Sequence, residues 1–100
     1  MDIDPSAWIA ETAYIDRTHP KGVHVAADCV IDEQAIVLTH DMIRSLKVDT
    51  RIGRGTTIGA RAIVMPGVTI GENCDIRPGA IVTKDVADGT TLQGNPGRPL

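Results

Sequence analysis

From residue 46 onward an aliphatic side chain returns every six positions: Leu46, Ile52, Ile58, Val64, Ile70, Ile76 and Val82. The same interval occurs twice earlier in shifted phase, as Ile3, Ile9, Ile15 and as Val25, Ile31, Val37. A period of six fits neither an α-helix nor a heptad coiled coil. It fits a short strand followed by a corner, so that three hexads carry the chain once round a triangle and back over itself. The residue after each aliphatic position is often glycine (Gly53, Gly59, Gly71). The residue four places on is compact: Thr56, Ala62, Val68, Cys74, Ala80 and Val86. Pro66-Gly67 and Pro78-Gly79 supply turn chemistry. The pattern predicts an all-β protein, a parallel β-helix of about five coils filling one domain over residues 1–100, with rungs about 4.8 Å apart.

Stacking the hexads gives three inward columns. Val25, Leu46, Val64 and Val82 are expected in the first, Ile31, Ile52 and Ile70 in the second, and Val37, Ile58 and Ile76 in the third. Ile3, Ile9 and Ile15 begin the same columns one rung below. Two excursions break the rhythm: Ile15 to Val25 spans ten residues and Val37 to Leu46 spans nine. Both leave after a third-column residue, so both are expected to protrude from one corner on adjacent rungs. That brings Asp16, Arg17 and His19 near Thr39, His40 and Asp41. On this stacking the corner continues upward through Gly59-Ala60-Arg61 and Arg77-Pro78-Gly79, with Pro78 above Ala60. A narrow ligand is expected to lie along it. Extruding a surface loop costs a solenoid little, and such loops often carry function.

Composition sharpens this picture. The chain has no Phe, one Trp (Trp8) and one Tyr (Tyr14). The interior is therefore thin and filled by small branched residues, or burial is completed in an oligomer. Trp8, Tyr14 and His24 each precede an inward position and are expected to face outward. Cys29 and Cys74 fall on compact corner positions and read as buried structural thiols, without metal-ligand spacing or a disulfide framework. A formal charge of −3 leaves no basic footprint for nucleic acid. No apolar run is long enough to span a membrane, and "MDIDPSAWIA" lacks signal-peptide character, so a cytoplasmic location is expected.

The stretch "IGRGTTIGARAIVMPGVTIGENCDIRPGAIVTKDV" resembles the hexapeptide-repeat acyltransferases. "DRTHPKGVHV" and "VLTHDM" resemble matching segments of bacterial sugar and polysaccharide O-acetyltransferases, and "QGNPGRPL" resembles the closing segment of that family. The resemblance covers nearly the whole chain. It implies a left-handed β-helix, where the ordinary crossover rule gives the opposite hand. It also implies a homotrimer with sites between subunits, and acetyl-CoA or another acyl-CoA as cosubstrate, with no metal.

By the same resemblance a loop histidine is the general base, taking the proton of an acceptor hydroxyl as that oxygen attacks the thioester. His40 matches this position, and an imidazole with an unperturbed pKa of about 6.5 suits the task. Asp16 matches an acidic residue that contacts the acceptor. Asp41 is the other candidate on the acceptor side, for contact or for orienting His40. The CoA arm is expected to pass Ala60 and Pro78, with Thr83 and Lys84 as further contacts and Arg98 near the phosphates. The implied acceptor is a small molecule, a hydroxyl of a sugar or polysaccharide precursor, with serine or an amino sugar as alternatives. Arg77-Pro78 stands where Gly-Ala is usual, and Asp75 where relatives are often apolar. Relatives commonly continue past the position of Leu100, which implies weaker CoA binding here.

Two other readings use the same solid. In the γ-type carbonic anhydrases three histidines hold one zinc, and the His19–His24 spacing resembles part of that motif, although in that family the close pair follows the lone histidine. His19 otherwise reads as a structural or solvent-facing residue. The remaining alternative is a non-catalytic trimeric scaffold.

Overall fold

The computed structural model describes residues 1–100. Strands of two or three residues follow one another round three walls of a left-handed parallel β-helix. The first wall stacks Asp2–Ile3, Val23–Val25, Thr50–Ile52 and Thr69–Ile70. The second stacks Trp8–Ile9, Val30–Ile31, Thr57–Ile58, Asp75–Ile76 and Thr91–Gln93. The third stacks Tyr14–Ile15, Ile36–Val37, Ile63–Val64 and Ile81–Val82. Neighbours within each wall run parallel, and only Arg98–Pro99 folds back antiparallel on Thr91–Gln93 at the top. No helix is long and apolar enough to cross a membrane.

Strand alternation decides what is buried. In each wall strand the hexad residue points inward: Ile31, Val37, Ile58, Val64, Ile76 and Val82 are all fully buried. Each such side chain contributes about 1.5–3 kcal/mol by leaving water. The residue before it points outward, as expected for Trp8 (53% exposed) and Tyr14 (40%). Compact side chains close the corners, with Ala35, Ala62 and Ala80 stacked at the second and Cys29, Thr56 and Cys74 at the first. Both cysteines are free and buried, and burial pushes the Cys29 thiol pKa up. With no coil beneath them, Ile3, Ile9 and Ile15 are only partly buried.

One corner position bends the same way on successive coils. Asp28, Gly55, Asn73 and Gly89 have φ of 59°, 72°, 54° and 72°. Gly, Asn and Asp are the residues that tolerate this left-handed region best. The N–H groups of Gly55, Asn73 and Gly89 donate to Ala27, Arg54 and Glu72, each on the coil below. The turn thus serves also as a rung-to-rung tie.

Leu46 departs from the hexad reading. It lies 44% exposed in a short antiparallel hairpin, His40–Asp41 against Leu46–Lys47, that juts from the solenoid. The second excursion therefore runs from Val37 to Ile52, and Leu46 mimics the repeat only because it stands six residues before Ile52. Above the hairpin every column moves one wall: Ile52 stacks on Val25, Ile58 on Ile31 and Val64 on Val37. Ala60 and Pro78 consequently occupy the second corner, where Gly79 N–H donates to the Ala60 carbonyl, one wall away from the excursions. The corner that carries both excursions continues upward through Met65-Pro66-Gly67 and Thr83-Lys84-Asp85.

Candidate active site

The two excursions leave one corner and are tied together at a single carboxylate. Asp16, directly after Ile15, has no exposed surface. One oxygen, Oδ1, accepts the N–H groups of Thr18 at 2.9 Å and His19 at 3.4 Å. The other, Oδ2, accepts those of Thr39 at 2.8 Å and His40 at 3.2 Å. The same Oδ2 lies 2.5 Å from Nδ1 of the His40 ring. Burial alone would raise the pKa of Asp16. The hydrogen bonds from Thr39, the His40 ring, Thr18 and His19 outweigh it and hold the value down to about 2. The carboxylate is ionised at neutral pH, so the proton it shares with the ring belongs to His40 Nδ1. Nε2 of neutral His40 is then left with its lone pair free.

Further contacts fix the approach of the two excursions. Thr39 Oγ1 donates to the His19 carbonyl at 2.7 Å. A Cβ on Gly22 would stand 2.3 Å from the Val48 carbonyl oxygen and 2.7 Å from Cδ2 of His19, so only glycine lets the chains approach this closely. Thr50 Oγ1 donates to the Leu38 carbonyl at 2.6 Å and accepts Gly67 N–H at 3.0 Å, joining the hairpin root to the corner above.

The expected site residues fall into three groups. Asp16 and His40 meet, and Asp16, expected on the acceptor side, has no exposed surface and both oxygens occupied by hydrogen bonds. Its Oδ2 is the partner that holds the His40 ring. Asp41 does not orient His40: its Oδ1 accepts the N–H groups of Ile43 and Arg44, and its Oδ2 lies 3.7 Å from Arg44 Nε. Asp41 and Thr83 instead line a cleft of about 300 Å³ with Leu46, Val48, Met65 and Gly67. Thr83 also lines a neighbouring cleft of about 400 Å³ with Lys84 and Arg98, which makes it the bridge between hairpin and cations. Ala60 and Pro78 form a separate hollow with Thr12, Glu33 and Gln34 and do not join this group.

His40 itself lines none of these clefts and is partly covered, its side chain 17% exposed. Sequence reasoning missed Met65, Gly67 and Val48 as cleft walls, because the slipped phase had moved them to another corner. His24 lies on the first wall, with Nδ1 3.0 Å from Asp2 and Nε2 2.9 Å from Asp49. Within the chain His19, His24 and His40 do not come together as a group that could hold a metal ion.

The family model described as Bacterial transferase hexapeptide (six repeats) matches residues 49–84. The chain is 33% identical to YvoF of Bacillus subtilis (strain 168) over 85 residues, covering 83% of this chain and 49% of that protein. It is 29% identical to a serine acetyltransferase of Synechococcus elongatus, covering 100% of this chain and 42% of the relative. The chain thus spans about half, or less, of the length of these curated relatives.

Among solved structures, a maltose O-acetyltransferase from Clostridium difficile 630 superposes with a TM-score of 0.74 at 21% identity, covering 99% of this chain and 67% of that one. The acetyltransferase domain of PglB from Neisseria gonorrhoeae FA1090, in complex with acetyl coenzyme A, gives 0.51 at 26% identity, covering 98% and 56%. Residues 49–84 thus match the hexapeptide-repeat model, and the chain is similar to named acetyltransferases over most of its length, as the motif resemblance implied.

Proposed function

We propose that this protein transfers an acetyl group from acetyl-CoA to a hydroxyl of a small acceptor, with His40 as general base. The observation that carries this reading is the Asp16–His40 hydrogen bond at 2.5 Å, which fixes the tautomer and leaves Nε2 able to accept a proton. The acceptor hydroxyl gives its proton to Nε2 as its oxygen bonds the thioester carbonyl carbon. The carbon–sulfur bond then breaks, and Nε2 returns the proton to the departing sulfur. Asp16 stays ionised throughout and steadies the imidazolium formed in between.

Thr83, Lys84 and Arg98 are the residues we assign to the donor, the two cations serving its phosphates. Ala60 and Pro78, one wall away, are not part of that assignment. A sugar hydroxyl is the acceptor we favour, on the bacterial sugar O-acetyltransferase resemblance of the two excursions.

The working unit we infer is a homotrimer. Two features support it: His40 lies outside the clefts described above, and the outer row of the third wall, Tyr14, Ile36, Ile63 and Ile81, is apolar from bottom to top. The test is thiol release from acetyl-CoA with a panel of sugars and serine, alongside light scattering for the assembly. Loss of turnover in His40→Ala with CoA binding retained is the expected result. Turnover unchanged in that variant overturns the reading.

A further inference from the structure

The rim of the Asp16–His40 pair differs in charge from the rest of the chain. Residues 16–22 and 38–49 carry four basic groups, Arg17, Lys21, Arg44 and Lys47, and three acids, Asp16, Asp41 and Asp49. The remaining residues carry six basic and ten acidic groups, so a local +1 stands against −4 elsewhere within the chain's −3. The rim acids are already engaged. Asp16 is filled by hydrogen bonds, Asp41 by its own turn and Arg44, and Asp49 by His24. Arg17, Lys21 and Lys47 are exposed and have no carboxylate partner.

Of these cations Lys47 stands across the hairpin from His40, residue opposite residue. The Val48 N–H donates to the Thr39 carbonyl, so the 39–48 pair carries the ladder hydrogen bond and His40–Lys47 is the neighbouring non-hydrogen-bonded pair. Side chains of such a pair leave the same face of the ribbon with Cβ atoms about 4.5–5.5 Å apart. Asp41 and Leu46, the next pair, leave by the other face, where they line the cleft that reaches Thr83. The hairpin thus presents its base and a free ammonium together, with Asp41 and Leu46 on its other face.

We propose that the acceptor bears an anionic group, phosphate or carboxylate, near the hydroxyl it offers, and that Lys47 binds this anion while His40 Nε2 takes the hydroxyl proton. The inference rests on the acetyl-transfer reading and names the acceptor class for that site. A neutral polyol leaves Lys47 solvated. An anion a few bonds from its hydroxyl spans the distance from ammonium to imidazole and meets a net-positive rim in an acidic molecule.

Glucose, glucose 1-phosphate and glucuronate present similar hydroxyls with no charge, a phosphate or a carboxylate. Their binding to the full chain is measured through the NMR shifts of the His40 ring, together with CoA affinity and thiol release from acetyl-CoA. At least one anion is expected to bind about tenfold tighter than glucose, with the advantage shrinking as salt rises. Lys47→Met is expected to abolish that advantage and Lys47→Glu to reverse it, with circular dichroism unchanged. Equal affinity for all three compounds overturns the proposal. A fall in CoA affinity in Lys47→Met, with the anion advantage intact, overturns it too, because Lys47 then serves the donor's phosphates. A Lys47-dependent anion advantage without thiol release supports this inference and counts against the transferase reading.

Discussion

On the walls each inward side chain repeats the surroundings of the one beneath it: Ile31, Ile58 and Ile76 stack in one column, all fully buried. At the extruded corner nothing repeats. Two excursions of different length meet at one carboxylate that accepts four backbone N–H groups and a ring nitrogen. Stability on the walls is shared among many similar contacts, as in other solenoids. At the corner it is concentrated in Asp16, and the candidate chemistry is concentrated there with it.

Removing Asp16 is the most severe way to test this contrast. Asp16→Ala leaves buried donors without an acceptor, and a loss of about 3–5 kcal/mol is expected in denaturant unfolding. Thiol release should fall at least as far as in a His40 variant. His40→Ala separates the two roles: turnover should drop about 10²–10⁴-fold while the melting temperature barely moves. Ile58→Ala tests the opposite case. A cost of about 2–5 kcal/mol is expected from the lost column contact, with kcat retained below the melting temperature because the corner does not depend on it.

Acid gives a gentler perturbation. The folded pKa of Asp16 is about 2 and its unperturbed value 3.8. The carboxylate therefore contributes about 2 kcal/mol above pH 4, lost as pH falls through about 2. Urea titrations across that range should show the slope, and Asp16→Asn should flatten it.

The smallest expected effect lies at His24. Its hydrogen bonds to Asp2 and Asp49 raise its pKa above 6.5, while partial burial and then nearby Arg51 work against them. A neutral ring has one N–H and can serve only one of the two carboxylates. The clamp is therefore complete below about pH 6.5 and is lost as pH rises through the folded value. A small decline in melting temperature over that rise, absent in His24→Gln, is the expected signature.

The walls were legible because a six-residue period is visible in any single stretch of the chain. The meeting of the two excursions was legible too, since both follow third-wall residues, Ile15 and Val37, on adjacent coils. The length of the second excursion was not. Leu46 satisfies the period by position while its side chain lies half in solvent, and hydropathy does not distinguish an inward leucine from one on a hairpin. That one-hexad slip placed Ala60 and Pro78 at the corner of the excursions and Met65, Gly67, Thr83 and Lys84 away from it, so that Thr83 and Lys84 enter the candidate site through the motif alone. The role of Asp16 was hidden for another reason. A carboxylate that gathers the N–H groups of a distant segment leaves no local spacing, although Asp16 bonding Thr18 two residues on follows the familiar Asx pattern.

The third and fourth coils stack without any insertion between them. A block such as residues 53–70 is therefore an interchangeable storey, and an in-frame copy of it would raise the roof by one rung, about 4.8 Å. The floor that holds His40 would stay where it is while Lys84 and Arg98 rode upward. The span from imidazole to cations is thus set in whole storeys, which makes the solenoid a ruler for the length of the molecule laid along it.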